Sequence, residues 1–99
     1  MYVQEMEGVM YVWDEEKNRK NQIKHGVDFQ EAQTVFEDPL ALIGPNENDT
    51  EEARQIIIGY SSRNRQLFVV FFEEEEDGTI RIISARKLTR ADKKSLGWL

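Results

Sequence analysis

The spacing of apolar positions changes several times along this chain, and each change marks an element. Val9-Met10-Tyr11-Val12-Trp13 is a short β-branched and aromatic run, which predicts a strand. From Asp14 onward the pattern turns polar. Asp14 suits a helix N-cap, Glu15 and Glu16 occupy the first turn, and Lys17, Arg19, Lys20 and Lys24 follow. That order complements the helix macrodipole and sets Glu15–Arg19 and Glu16–Lys20 at i,i+4. Gly26, after His25, suits a left-handed C-cap. Ile23 is nearly the only apolar residue of this helix, so it belongs on the surface with a narrow docking seam.

A second helix starts at once. Asp28 and Glu31 form a capping-box variant, with Val27 stapled against Ala32. Phe29, Ala32, Val35 and Phe36 recur at helical period and predict a core face, which Asp38-Pro39 ends. Leu40–Ile43 reads as a strand closed by Gly44-Pro45, followed by a polar, acidic loop over Asn46–Glu52. Arg54–Tyr60 alternates, with Arg54, Ile56, Ile58 and Tyr60 on one face. Ser61–Arg65 makes a turn in which Asn64 suits positive φ. Leu67–Phe72 is apolar on both faces, which predicts a central strand covered on both sides. Asp77-Gly78 is a hairpin signal, Thr79–Lys87 pairs back, and Thr89 caps a short last helix. The expected fold is α+β: an antiparallel sheet of about four to five strands, two N-terminal helices packed on it and a short C-terminal helix. The length suits one domain spanning residues 1–99.

Composition narrows the chemistry. Cysteine is absent, which removes disulfides, thiolate zinc sites and cysteine nucleophiles and suits a reducing cytoplasm. No apolar run approaches a membrane span, and residues near the start lack a signal pattern. With one histidine and consecutive rather than convergent acids, a metal site is not expected, and neither is a serine triad or a phosphate loop.

Charge changes the picture more. The net charge is −6, with acids gathered at 28–38, 47–52 and 73–77. Yet from Arg81 to Lys94 the six bases Arg81, Arg86, Lys87, Arg90, Lys93 and Lys94 stand against the single acid Asp92. Any polyanion must be met there, since the acidic runs repel it. Arginines rooted in a sheet can grip phosphate oxygens in two-point bonds. By parity, however, Arg81 and Arg86 leave opposite faces of their strand unless it bends. Lys17, Lys20 and Lys24 share one helix face and extend a basic track, and His25 at the helix end is a candidate acid or base. Plainer readings stand beside these: the lysines solvate a surface helix, the arginines pair with nearby acids, and His25 caps its helix.

The chain also resembles a known family. Trp13-Asp14-Glu15-Glu16-Lys17-Asn18, Lys24-His25-Gly26-Val27, Val35-Phe36-Glu37-Asp38-Pro39, Ile58-Gly59-Tyr60-Ser61 and Arg81-Ile82-Ile83-Ser84-Ala85-Arg86-Lys87 resemble the BrnT toxin family, in order, over roughly Val12–Lys94. The resemblance implies a RelE-like fold and a type II toxin that cleaves RNA by metal-independent acid/base chemistry, inhibiting translation in the cytoplasm without a cofactor. It implies a BrnA-like ribbon-helix-helix antitoxin as partner, with operator DNA met only through that antitoxin. Carried across, the catalytic candidates are His25, Arg54, Arg81 and Arg86, and the RNA-binding candidates are Lys24 and Lys87, which Arg90 extends. A family pattern Thr-x-x-Glu-x-x-x-Tyr is matched at Thr89 only, with Asp92 and Leu96 at the other two positions. Residues 1–8 lie before the family-like segment as an N-terminal extension, and Met10 is an alternative start. The competing reading is a noncatalytic antitoxin-binding module in operon autoregulation.

Overall fold

A computed structural model describes residues 1–46 and 53–99, so the acidic stretch expected as a loop lies largely outside the described residues. Among the described residues six strands form one sheet, in the order β1-β2-β6-β5-β4-β3. The strands are β1 (Tyr2–Met6), β2 (Val9–Trp13), β3 (Leu42–Pro45), β4 (Gln55–Tyr60), β5 (Gln66–Glu73) and β6 (Ile80–Lys87). The helices are α1 (Glu15–His25), α2 (Phe29–Thr34), continued by a 3₁₀ turn over Val35–Glu37, and α3 (Arg90–Ser95). The α+β expectation holds, but the sheet is mixed rather than antiparallel and has more strands than expected. β2 runs parallel to β6 through the pairs Tyr11↔Ile80 and Val12↔Arg81.

The additional strand comes from the first residues. β1 pairs with β2 across a two-residue turn in which Glu7 and Gly8 take φ of 51° and 83°, the left-handed geometry that tight hairpins require. Tyr2 stacks on Trp13 with ring centroids 4.6 Å apart. Residues 2–6 carry only two strongly apolar β-formers, so their pairing was not visible in the pattern.

α1 is capped as expected, by Asp14 accepting from the Glu16 and Lys17 N–H groups and by Gly26 at φ 70°. Its charge pairs differ from expectation. Arg19 bonds Glu16 at 2.5 Å, while Glu15 accepts from the Trp13 indole at 2.8 Å. Its docking differs more. Ile23 is 81% exposed, and the helix is fastened by asparagines instead. Asn21 donates to the carbonyls of Ala85 (2.7 Å) and Val27 (2.9 Å) and accepts from the Ala85 N–H (3.2 Å). β2 leaves β6 unpaired beyond Arg81, and the Asn21 amide stands in for a neighbouring strand there, satisfying edge groups that burial would otherwise strand.

α2 supplies the core. Phe29, Ala32 and Val35 pack with Val27 and Trp13 on Ile57, Leu67, Val69, Phe71, Ile82 and Ala85. Asp28 caps α2 by accepting from the Glu31 N–H at 2.7 Å, but the reciprocal half of the capping box does not form. The Glu31 side chain is only 2% exposed and turns to Arg65, which binds it through Nε at 2.9 Å and through Nη2, while Ser61 donates to it at 2.6 Å. Arg65 also donates to the Gly26 carbonyl at 3.0 Å, so one buried ion pair ties together α1, α2 and the β4–β5 turn. That turn contains Asn64 at φ 59°, as expected.

β3 begins two residues later than expected and runs through Gly44-Pro45. Asp38 holds the preceding residues in a turn, accepting from the Leu40 N–H (3.0 Å) and Tyr60 N–H (2.8 Å). Gly59 makes this approach possible, since a Cβ there would stand 2.7 Å from the Asp38 carboxylate. Pro45 is tolerated because β3 is an edge strand. β5 is central, but the expectation that both its faces are covered fails. Leu67, Val69 and Phe71 are buried, whereas Phe68, Val70 and Phe72 are only half-buried.

Candidate nucleic-acid interface

That half-open face becomes a site because of an irregularity in β6. Val70 pairs with Ser84 and Phe71 with Ile82, which leaves Ile83 as the extra residue of a β-bulge. The inserted residue resets the alternation. Arg81 lies opposite Phe72, Ser84 opposite Val70 and Arg86 opposite Phe68, so all three share the open face. The parity argument from sequence, which separated Arg81 from Arg86, is thereby overturned.

The floor of this face is apolar and cations ring it. A cleft of about 360 Å³ is lined by Lys17, Arg54, Phe72, Glu74, Arg81 and Ile83. A second groove, sharing Lys17 and Ile83 with the first, runs between α1 and β6 past Lys20, Asn21, Lys24, His25 and Ser84. The lysines expected to form a track therefore do line one channel, and the Asn21 amide fixes the helix that carries them. His25 is half-buried at the α1 end of that channel. A larger hollow of about 520 Å³ lies beyond Phe72, walled by Glu74, Glu75, Glu76 and Asp77, with Arg81 on the rim it shares with the cleft. Four carboxylates make it hostile to phosphate, so an anionic ligand is confined to the lysine and arginine side.

The two β6 arginines are held differently. Arg86 stacks over the Phe68 ring at 4.2 Å and binds Asp92 through Nη1 at 2.5 Å and Nη2 at 3.3 Å. Asp92 belongs to α3, where it also accepts from the Thr89 N–H while Thr89 caps it in return. Arg86 and these capping bonds hold its carboxyl down to about 2. Arg81 meets Glu74 at 3.5 Å, with both side chains about two-fifths exposed, so this pair is loose. The plainer reading, that these arginines pair with nearby acids, is thus realised at both, firmly for Arg86 and weakly for Arg81.

Two candidates stand apart. Lys87 is opposite Leu67 and so leaves the other side of β6 from Arg86. Arg90 opens α3, is exposed and lines neither groove. Sequence reasoning missed the contributions of Phe68, Phe72 and Glu74. The two-sided apolar pattern of β5 was the available signal for the rings, and it was read as burial.

A half-covered sheet face with an aromatic floor and a cationic rim has the makeup of the class of surfaces on which single-stranded nucleic acids stack. The comparisons sharpen that class. Residues 13–92 match the family described as ribonuclease toxin, BrnT, of type II toxin-antitoxin system, and the chain belongs to that family. It is a ribonuclease toxin, and its system supplies an antitoxin as partner. A crystal structure of the Brucella abortus ribonuclease toxin BrnT is similar, with a TM-score of 0.62 at 26% identity, covering 81% of this chain and 96% of that one. No curated protein matches the chain. Among the described residues no helix is long and apolar enough to cross a membrane.

Proposed function

We propose that this toxin cuts RNA on the open face of its sheet, in a RelE-like arrangement and by proton transfer without a metal. The observation that carries the assignment is the bulge at Ile83, which sets Arg81 and Arg86 on the face shared by Arg54, the α1 lysines and His25. In this reading a base removes the proton of the 2′-hydroxyl, the 2′-oxygen attacks phosphorus, and the bond from phosphorus to the 5′-oxygen breaks. An acid then protonates the leaving 5′-oxygen, leaving a 2′,3′-cyclic phosphate and a 5′-hydroxyl. His25 serves one of these two proton transfers. Arg54, Arg81 and Arg86 bind the scissile phosphate and stabilise the extra charge of the phosphorane. Lys24 steers the chain along α1, with Lys87 and Arg90 as outer contacts where RNA leaves the strand end. The cleavage inhibits translation in the cytoplasm, and a BrnA-like ribbon-helix-helix antitoxin masks this face and carries the pair to operator DNA.

Induced expression arrests growth, and the purified chain cleaves single-stranded RNA in the presence of a chelator. Arg81→Ala lowers the cleavage rate about 10²–10³-fold and relieves arrest, and His25→Ala lowers it about 10²–10⁴-fold. Harmless wild-type protein that leaves RNA intact in chelator would falsify the reading. Undiminished cleavage by His25→Ala removes the proton-transfer role from that residue.

A further inference from the structure

We infer that the cleft between Arg54, Phe72, Glu74 and Arg81 is a nucleobase seat selective for guanine. The inference rests on the open face being where RNA is held, and it adds what that face reads. One wall is cationic and one carries a carboxylate. Lys17 continues into the lysine groove and Arg54 lines this cleft only, while Glu74 and Arg81, in contact at 3.5 Å, both border the acidic hollow. A nucleotide enters such a cleft in one orientation, phosphate toward Lys17 and Arg54 and its uncharged base toward the Glu74–Arg81 pair.

The floor and the wall then select the base. Phe72 is half-buried and offers a ring face, the surface on which single-stranded nucleic acids stack. Glu74 is held in place by its backbone, its N–H donating to the Thr79 carbonyl at 2.8 Å and its carbonyl accepting from the Gly78 N–H at 3.0 Å. A carboxylate only accepts hydrogen bonds, and guanine presents N1–H and N2–H side by side to meet its two oxygens. Guanine O6 and N7 accept from one edge of the Arg81 guanidinium beside Glu74, and the remaining N–H groups of that guanidinium stay directed to the phosphate that Arg54 also holds. Adenine and cytosine each offer one exocyclic amine beside an acceptor, and uracil flanks its N3–H with two carbonyls, so each sets a lone pair against the carboxylate. The Glu74–Arg81 contact, at 3.5 Å, lies at the outer limit of hydrogen bonding, so an entering base exchanges a long contact for shorter ones.

The test uses the purified full chain and oligoribonucleotides that differ in one nucleotide, G, A, C, U or inosine. Cleavage is timed on all-ribose strands, and binding is measured on 2′-O-methyl strands that cannot supply the attacking hydroxyl. Guanine is favoured over adenine by about 5- to 150-fold in rate and in affinity, and inosine, which lacks the 2-amine, falls between them. Glu74→Gln brings the guanine-to-adenine ratio to within about threefold of unity in both measurements, and Phe72→Ala weakens binding of every base by about tenfold. Thermal melting of both variants verifies that they fold. Cleavage of all bases at equal rates, or a guanine preference that survives Glu74→Gln, overturns the seat and leaves the ribonuclease site standing. A Glu74-dependent guanine preference in binding with no cleavage of any strand supports the seat and overturns the catalytic face instead. Neither binding preference nor cleavage overturns both.

Discussion

The two faces of the sheet are built from the same strands and treat their side chains in opposite ways. On the closed face Leu67, Val69 and Phe71 are sealed under α2 and Trp13, and the charge admitted there, Glu31, is matched by Arg65, Ser61 and capping geometry. On the open face Phe68, Val70 and Phe72 keep part of their surface in water, and the cations sit around them at the rim, Arg86 over a ring and bound to Asp92, Arg81 against one loose acid, and the lysines along a groove. Folding alone explains the first face. It does not explain three half-exposed large apolar residues beside clustered arginines, an arrangement that gains most when a ligand brings both stacking surface and negative charge. The comparison therefore separates residues whose loss unfolds the protein from residues whose loss disarms it.

The largest effect tests the closed face. Arg65→Met removes the cation from a carboxylate that is 2% exposed. Arg63, at 3.6 Å and mostly in solvent, is too far out to replace it. The expected loss is about 3–5 kcal/mol of stability, read by urea denaturation. If Arg65→Met melts like the wild type, the buried pair is not what joins α1, α2 and the β4–β5 turn.

A smaller effect compares neighbours on one strand. Leu67→Ala costs about 2–5 kcal/mol, since its side chain is wholly buried. Phe68→Ala, one residue on, costs about 1–2 kcal/mol despite the larger ring, because that ring is half-buried. Activity per folded molecule moves the other way. It is unchanged in Leu67→Ala and falls in Phe68→Ala, where Arg86 loses the ring beneath it. Equal losses of stability in the two variants would erase the distinction between the faces.

How far this was readable in the sequence depends on the kind of signal. Local chemistry carried well: Asp14, Gly26, Asp28, Asn64 and Thr89 all sit where short-range hydrogen bonding and backbone sterics put them. Non-local pairing did not. The parallel contact of β2 with β6 joins distant segments, and no local pattern distinguishes it from an antiparallel one. No local pattern marks Asn21 as a fastening residue, because its partner edge is 64 positions away. The bulge at Ile83 was decisive for the site and leaves no mark in composition, since Ile82-Ile83 reads as ordinary strand. A single unpaired residue inverted the predicted relation of Arg81 and Arg86. Candidate residue types were thus visible from sequence, while the face they share was set by register.

The smallest effect concerns the one acid that reaches the open face from α3. Asp92 binds Arg86 and is held at about 2, below the ordinary 3.8 for an aspartate. A depressed folded value means that the unfolded chain takes up the proton first. The pair therefore stabilises the fold fully above about pH 4, and this contribution disappears as pH falls through 2. Both side chains retain some exposure, so solvent screening limits the contribution to about 1 kcal/mol. Asp92→Asn keeps the Thr89 cap, since an amide oxygen can still accept from the Thr89 N–H, but abolishes the charge. It is expected to lower stability at pH 7 by about 1 kcal/mol and to flatten the part of the acid limb between pH 4 and 2. Glu31 is also held below its usual range, chiefly by its bond from Arg65, so a residual acid limb persists in the variant. Denaturation curves at neutral pH and across the acid window give both numbers. An unchanged limb would mean that Arg86 does not hold Asp92 in solution, and that the open face keeps its strongest cation available to ligand.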